Sequence, residues 1–242
     1  MIYIIYSIIL IYFLLGGVGF YFINRKKERM IARRSYIKFV IYFFIINILF
    51  FSIVINQIVF QYLSVFIIGV GMYELLRLYY QSNYNNKRFC FISLVIYGLL
   101  STGFVLFGTL QKELILFAFI VLSIFDSFSQ ITGQLWGRKK MFPKTSPNKT
   151  IGGFIGGGLI AIGSAFLLKN FFAGSKLELL ILTLGIVFFA FAGDLGASFY
   201  KRKYRVKDFS RLLPGHGGFL DRFDSLITAG AWVAFFSFIL NF

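Results

Sequence analysis

Residues 177–203 read LELLILTLGIVFFAFAGDLGASFYKRK. No residue from Leu179 to Gly193 carries a charge. A helix core over 177–200 is long enough to cross a hydrocarbon layer of about 30 Å. The run ends on Asp194, with Lys201, Arg202 and Lys203 beyond it. A carboxylate at membrane depth is expensive, which makes Asp194 a functional candidate by default. If the helix continues, Asp194, Ser198 and Lys201 stand on one face, at i, i+4 and i+7. An Asp194–Lys201 ion pair is the purely structural alternative.

Such runs recur along the chain. Hydrophobic residues make up 58% of the 242 residues and charged residues only 14%, against about 25% charged in ordinary globular chains. The runs predict an all-α, polytopic integral membrane protein of about eight transmembrane helices. Their cores are expected over 2–23, 37–55, 58–80, 89–110, 113–132, 151–169, 177–200 and 223–241. The break between the second and third rests on Asn56-Gln57 alone. The organisation expected is an N-terminal group of transmembrane helices with a basic cytoplasmic loop over 1–110, and a C-terminal catalytic transmembrane region over 111–242. The first run lacks the basic start and the small-residue cleavage site of a signal peptide, so it reads as a retained helix. A single cysteine, Cys90, excludes an intramolecular disulfide and a cysteine-based zinc site, and reads as a small buried apolar residue.

The charges test this helix count. With loops alternating sides, 22 of the 25 basic residues fall on one side, and Lys112, Lys169 and Lys176 on the other. The rich side is the cytoplasmic one. It includes RKKERMIARR at 25–34, read as a topology signal in contact with lipid headgroups. The net charge of +16 therefore needs no nucleic acid; topology, anionic headgroups and phosphate substrates account for it.

The densest chemistry follows the quoted run. Residues 198–224 read SFYKRKYRVKDFSRLLPGHGGFLDRFD. Beyond Lys201, Arg202 and Lys203 they hold Arg205, Lys207, Asp208, Arg211, the only histidine, His216, and then Asp221, Arg222 and Asp224. Acids bind a hard cation through oxygen, and bases neutralise phosphate oxygens. Asp221 and Asp224 open the last helix three residues apart, where acids also favour the helix dipole by about 0.3–1 kcal/mol each. Pro214, Gly215, Gly217 and Gly218 let the backbone turn tightly and approach a phosphate. His216 is placed to bond a phosphate oxygen or to orient a ligand.

This segment resembles the C-terminal signature of the phosphatidate cytidylyltransferases, also called CDP-diacylglycerol synthases. Ser198, Lys201-Arg202, Lys207-Asp208, Pro214, His216-Gly217-Gly218, Asp221-Arg222 and Asp224 match it; Tyr200 replaces an aliphatic residue or Phe. Residues 144–158, KTSPNKTIGGFIGGG, resemble the family's Ser-Pro-x-Lys-Thr-x-Glu-Gly element. Ser146, Pro147, Lys149, Thr150 and Gly153 match, while Gly152 takes the glutamate position. Residues 126–137, DSFSQITGQLWG, resemble its Asp-Thr-x-Ala-Tyr-x-x-Gly run through Asp126, Gly133 and Gly137, with Ser127 for threonine and Gln130 for tyrosine.

The resemblance implies that Asp194 and Asp221 hold a catalytic magnesium. It implies a site comprising Asp194, Lys201, Arg202, Lys207, His216, Asp221 and Asp224. Lys144, Lys149, Arg222 and the hydroxyls of Ser146, Thr150 and Ser198 would contact nucleotide or lipid phosphate. Asp126 would join the metal site or hold a base; an ion pair with Arg138 or Lys149 is its structural alternative. Gly152 and Gly153, with Gly156 and Gly157 four residues on, also fit close helix packing. Glu74, three residues before Arg77, reads as a local ion pair.

The expectation is transfer of a cytidylyl group from CTP to phosphatidate, giving CDP-diacylglycerol and pyrophosphate, at the cytoplasmic face of a bacterial inner membrane. The partners implied are CTP, the lipid phosphate, membrane lipids and, as an admissible assembly, a homodimer. Two other readings stand beside it: a divergent member acting on another lipid phosphate, such as an isoprenoid one, and a non-catalytic lipid-binding paralogue. A transporter is disfavoured, because the polar residues gather at one face instead of lining a path.

Overall fold

The computed structural model of the chain describes residues 6–7, 9–11, 13–14, 17–18, 21, 24–25, 28–210, 212 and 217–240. Most of the span expected over 2–23, together with Arg211, Pro214, Gly215 and His216, lies outside them. Among the described residues, seven long helices follow in order: α1 (Arg29–Ile55), α2 (Gln57–Gln81), α3 (Lys87–Phe107), α4 (Lys112–Trp136), α5 (Ile151–Leu167), α6 (Lys176–Lys203) and α7 (Leu220–Leu240). Each corresponds to one of the expected spans, with α3 ending at Phe107 and α5 at Leu167, short of the expected 110 and 169. Five of them, α2, α3, α4, α6 and α7, are long and apolar enough to cross a membrane, with shorter apolar stretches at Phe39–Ile55 and α5.

Local chemistry sets the ends. Asn56, extended at φ −154°, closes α1 and caps α2 by accepting from Ile58 N at 2.9 Å, so the Asn56-Gln57 break is real. Ser175 and Glu178 form a reciprocal capping box at the start of α6. Thr150 caps α5 through a bond from Gly153 N at 3.1 Å. Between α2 and α3 the chain turns through Asn83, Tyr84 and Asn86, all with positive φ.

Two expectations are corrected. The core expected to end at 132 runs on to Trp136, because Gly133 continues the helix where α5 crosses it: a Cβ there would lie 3.4 Å from Gly153 Cα. The basic loop that follows contains an antiparallel hairpin of β1 (Lys140–Phe142) and β2 (Ser146–Thr150), pairing Lys140 with Thr150 and Phe142 with Ser146 across a bulge. Pro147 is tolerated in it because a two-stranded hairpin leaves strand N–H groups unpaired.

The core runs through the middle of the bundle. Phe60 and Ile67 of α2, Phe104 of α3, Phe117 of α4, Leu182 of α6 and Val233 of α7 are all buried. The rim is apolar too, with Leu167 at 86% exposure and Phe238 at 82%. Water would penalise that surface, whereas a bilayer solvates it. The protein is an all-α polytopic membrane protein, and its alternating helices bring the ends of α2, α4 and α6 and the starts of α5 and α7 to one face.

Candidate active site

At that face two lysine–aspartate pairs form, each between elements distant in sequence. Lys149, at the end of β2, places Nζ 3.0 Å from Asp194 Oδ2. It also donates to the Phe191 carbonyl at 3.1 Å and sits 4.1 Å from the centre of the Phe191 ring. The cation thereby fastens the hairpin to α6, a contact extended by the rings of Phe142 and Phe191 at 6.2 Å. On its other oxygen, Asp194 accepts from Ser198 Oγ at 3.4 Å. The Asp194 side chain keeps 44% of its exposure, against 14% for Lys149, so this carboxylate is open to a ligand.

The second pair is enclosed. Lys201 Nζ bonds Asp221 Oδ1, and the two side chains are 10% and 5% exposed. Asp221 Oδ2 accepts from Phe209 N at 3.0 Å and Gly218 N at 2.8 Å. The acid thus does two things: it neutralises a buried lysine, and it ties the 204–219 connection to the first turn of α7. Gly218 is required there, because a Cβ would lie 2.7 Å from Phe209 Cβ and 2.9 Å from Asp221 Oδ2. Gly217 has φ +87°, in the region that favours glycine.

The rest of the constellation surrounds these pairs. A Cβ at Gly193 would collide with Thr228 Oγ1 and lie 2.8 Å from the Asp224 carbonyl, so α6 and α7 meet where Asp194 and Asp224 stand. Asp224 Oδ1 accepts from Ser225 N at 2.7 Å. Arg202 donates from Nε to the Thr145 carbonyl at 3.2 Å and from Nη1 to the Val206 carbonyl at 2.9 Å, bracing the hairpin turn. Thr150 is buried and occupied as a cap; Ser146 is half-buried, while Lys144, Lys207 and Arg222 are exposed. Asp126 is in the last three turns of α4. The ammonium that the sequence offered it, Lys149, sits on Asp194 instead.

A carboxylate offers about four acceptor positions. The bonds above use three of those on Asp221 and two of those on Asp194. Among the described residues, no three His, Cys, Asp or Glu side chains gather closely enough to enclose a metal. Magnesium does not need that, since one or two carboxylates with water and substrate phosphates suffice. The residues fit it in donor type and in spare capacity.

One participant was misread from the sequence. Glu74, near the end of α2, is fully buried, and its partners are remote from Arg77. Oε1 accepts from Phe219 N at 2.8 Å and from Ser210 Oγ, and Oε2 accepts from Leu220 N at 2.7 Å. The signal was present, because an acid in an apolar span is a functional candidate. The cation three residues on offered a local explanation, and the open amides of α7 were the stronger partner.

The sequence profile of the cytidylyltransferase family matches residues 88–240. The chain is similar to a protein named phosphatidate cytidylyltransferase in Staphylococcus haemolyticus, 40% identical over 151 residues that cover 60% of this chain and 56% of that one. A Staphylococcus aureus protein of the same name is 38% identical over 151 residues, with the same coverage. One from Rickettsia felis is 33% identical over 189 residues, covering 74% of this chain and 82% of the relative. The match thus spans just over half the length of the staphylococcal proteins.

Proposed function

The chain belongs to the cytidylyltransferase family, and from that premise we propose that it transfers a cytidylyl group from CTP to phosphatidate, giving CDP-diacylglycerol and pyrophosphate. The observation that carries this reading is the pairing of Lys149 with Asp194 and of Lys201 with Asp221 at one face, one pair open and one enclosed. The three relatives named above carry this activity in their names.

A phosphatidate oxygen attacks the α-phosphorus of CTP. The new O–P bond forms as the bond from that phosphorus to the departing pyrophosphate oxygen breaks. The acceptor is already anionic, so no strong base is required; the obstacle is one anion meeting another. Lys149 and Lys201, each neutralised and oriented by its aspartate, set ammonium donors at the face, and the exposed Arg202 and Lys207 screen the charge of the leaving pyrophosphate. Ser146 donates to a phosphate oxygen, and Thr150 keeps a hydroxyl proton that its capping bond does not use, whereas Ser198 gives its one proton to Asp194 and orients that carboxylate; Lys144 and Arg222 reach outward to nucleotide or headgroup phosphate. Asp194 and Asp221 would hold magnesium, which when bound neutralises and aligns the triphosphate.

The site would face the cytoplasm from a bacterial inner membrane of about eight spans, where a two-chain lipid presents its headgroup. A homodimer is compatible with this arrangement. The departures at Gly152 and Gln130 favour a second reading, in which an isoprenoid or other lipid phosphate is the acceptor. Retention of Asp194, Lys201 and Asp221 argues against a non-catalytic paralogue. Purified protein incubated with labelled CTP and a panel of lipid phosphates, with and without magnesium, tests all three readings. Label is expected in CDP-diacylglycerol only with phosphatidate and magnesium. Transfer to an isoprenoid phosphate alone would favour the second reading, and transfer to none would overturn the enzyme.

A further inference from the structure

Glu74 lies outside residues 88–240, the part of the chain that the family profile matches. It is nevertheless built into the site. Its carboxylate and that of Asp221 flank Gly218: a Cβ there would lie 2.9 Å from Asp221 Oδ2 and 3.0 Å from Glu74 Oε1. Between them the two acids take four backbone N–H groups: Asp221 those of Phe209 and Gly218, Glu74 those of Phe219 and Leu220. Phe219 and Leu220 are the residues where α7 begins, and Asp221 is the next one. The first N–H groups of a helix have no partner within it, and a carboxylate that accepts them decides where the helix starts. Here the cap comes from α2. Ser210, whose Oγ donates to Glu74 and accepts from Leu212 N at 3.1 Å, draws the preceding connection into the same clamp.

We propose that Glu74 is a positioning residue for the reaction: by capping α7 from α2 it fixes the height and direction of Asp221, and through it the ammonium of Lys201. This rests on the cytidylyl-transfer reading. Glu74 itself is enclosed and touches no substrate.

Glu74→Gln keeps the size of the side chain but turns one acceptor into a donor, so an amide of the first turn of α7 loses its partner. The full chain in detergent is measured three ways: kcat and KM for CTP with phosphatidate per folded molecule, melting temperature, and hydrogen exchange of peptides covering 217–222. Glu74→Gln is expected to lower kcat by roughly ten- to a hundredfold, the scale of a misplaced reacting group. KM is expected to stay within roughly threefold, since charge at the binding face is untouched. Exchange should accelerate at 217–222 and nowhere else. Glu74→Asp, which retains both acceptors, should recover part of kcat. A purely structural acid would lower the melting temperature and leave kcat per folded molecule intact; kcat within twofold of the parent in Glu74→Gln overturns the proposal, whatever the exchange does. A parent inactive with CTP fails the proposed function instead, and the exchange at 217–222 then decides the clamp, with unchanged rates overturning it.

Discussion

The two aspartates expected to hold magnesium sit in unlike surroundings, and their amide variants should separate accordingly. Asp194 is nearly half exposed and bonds Lys149 and Ser198; water can solvate what an amide leaves unpaired. Asp194→Asn is therefore expected to abolish turnover while the melting temperature stays within a few degrees of the parent. Asp221 is enclosed, with Lys201 on one oxygen and two backbone amides on the other. Asp221→Asn strands the buried ammonium of Lys201 or an amide, a loss of about 3–5 kcal/mol for a broken buried pair. It should abolish turnover and also lower the melting temperature clearly. Equal stability of the two variants would mean that Asp221 is not enclosed as described, and near-normal turnover of either at limiting magnesium would remove it as a ligand. At this scale the sequence named the participants but not their partners. Helical spacing places Asp194, Ser198 and Lys201 on one face, and that much holds. It also offers Lys201 to Asp194, whereas the ammonium on Asp194 arrives from Lys149 on a different element. Periodicity describes one helix at a time, and pairing between elements is set only when they pack.

Among the elements, the crossing of α4 and α5 depends on missing side chains. A Cβ at Gly157 would lie 2.7 Å from the backbone nitrogen of Ser129, and one at Gly156 would lie 2.7 Å from Thr132 Cβ, whereas Gly163 has nothing within 4 Å. Gly157→Ala must push backbone apart and is expected to cost about 1–3 kcal/mol. Gly163→Ala should be neutral or stabilising by up to about 1 kcal/mol from helix propensity. Thermal unfolding of the two variants in one detergent compares them; a Gly157→Ala variant as stable as Gly163→Ala would refute the close crossing. Gly152 belongs to the same seam, with a Cβ 3.0 Å from the Trp136 carbonyl oxygen and 3.4 Å from Gly137 Cα. Restoring the family's acid as Gly152→Glu therefore sets a charged side chain against the carbonyl end of α4. Lower stability with no gain in CTP turnover at any magnesium concentration is expected, and a gain would show that the missing glutamate matters more than the seam. The four-residue glycine spacing announced this packing in advance. The hairpin from Lys140 to Thr150 did not announce itself, because strands of three and five residues fall below any periodic signal.

On the scale of the whole molecule, helix direction and charge have to agree. The chain reverses between successive long helices, so the ends of α2, α4 and α6 and the starts of α5 and α7 share a face, and the hairpin lies there too, with residues 204–210 and 217–219. Of the 25 basic residues, 22 fall on this side of the expected topology. Moving that many cations across a bilayer is disfavoured, which predicts that this face is cytoplasmic. Lys140 and Arg205 are both exposed there, and the native Cys90 is buried at 3% exposure. In a background with Cys90 replaced by serine, Lys140→Cys and Arg205→Cys are expected to resist a membrane-impermeant maleimide in intact cells and to react once the membrane is opened. A cysteine at Lys176, at the start of α6 on the opposite side, is expected to react from outside without opening. If 140 and 205 label in intact cells while 176 does not, the orientation is inverted. The nucleotide pocket would then face away from cytoplasmic CTP, and the proposed reaction could not proceed as written. If all three label from one side, neither α5 nor α6 crosses, and the charge count loses its meaning as evidence for topology.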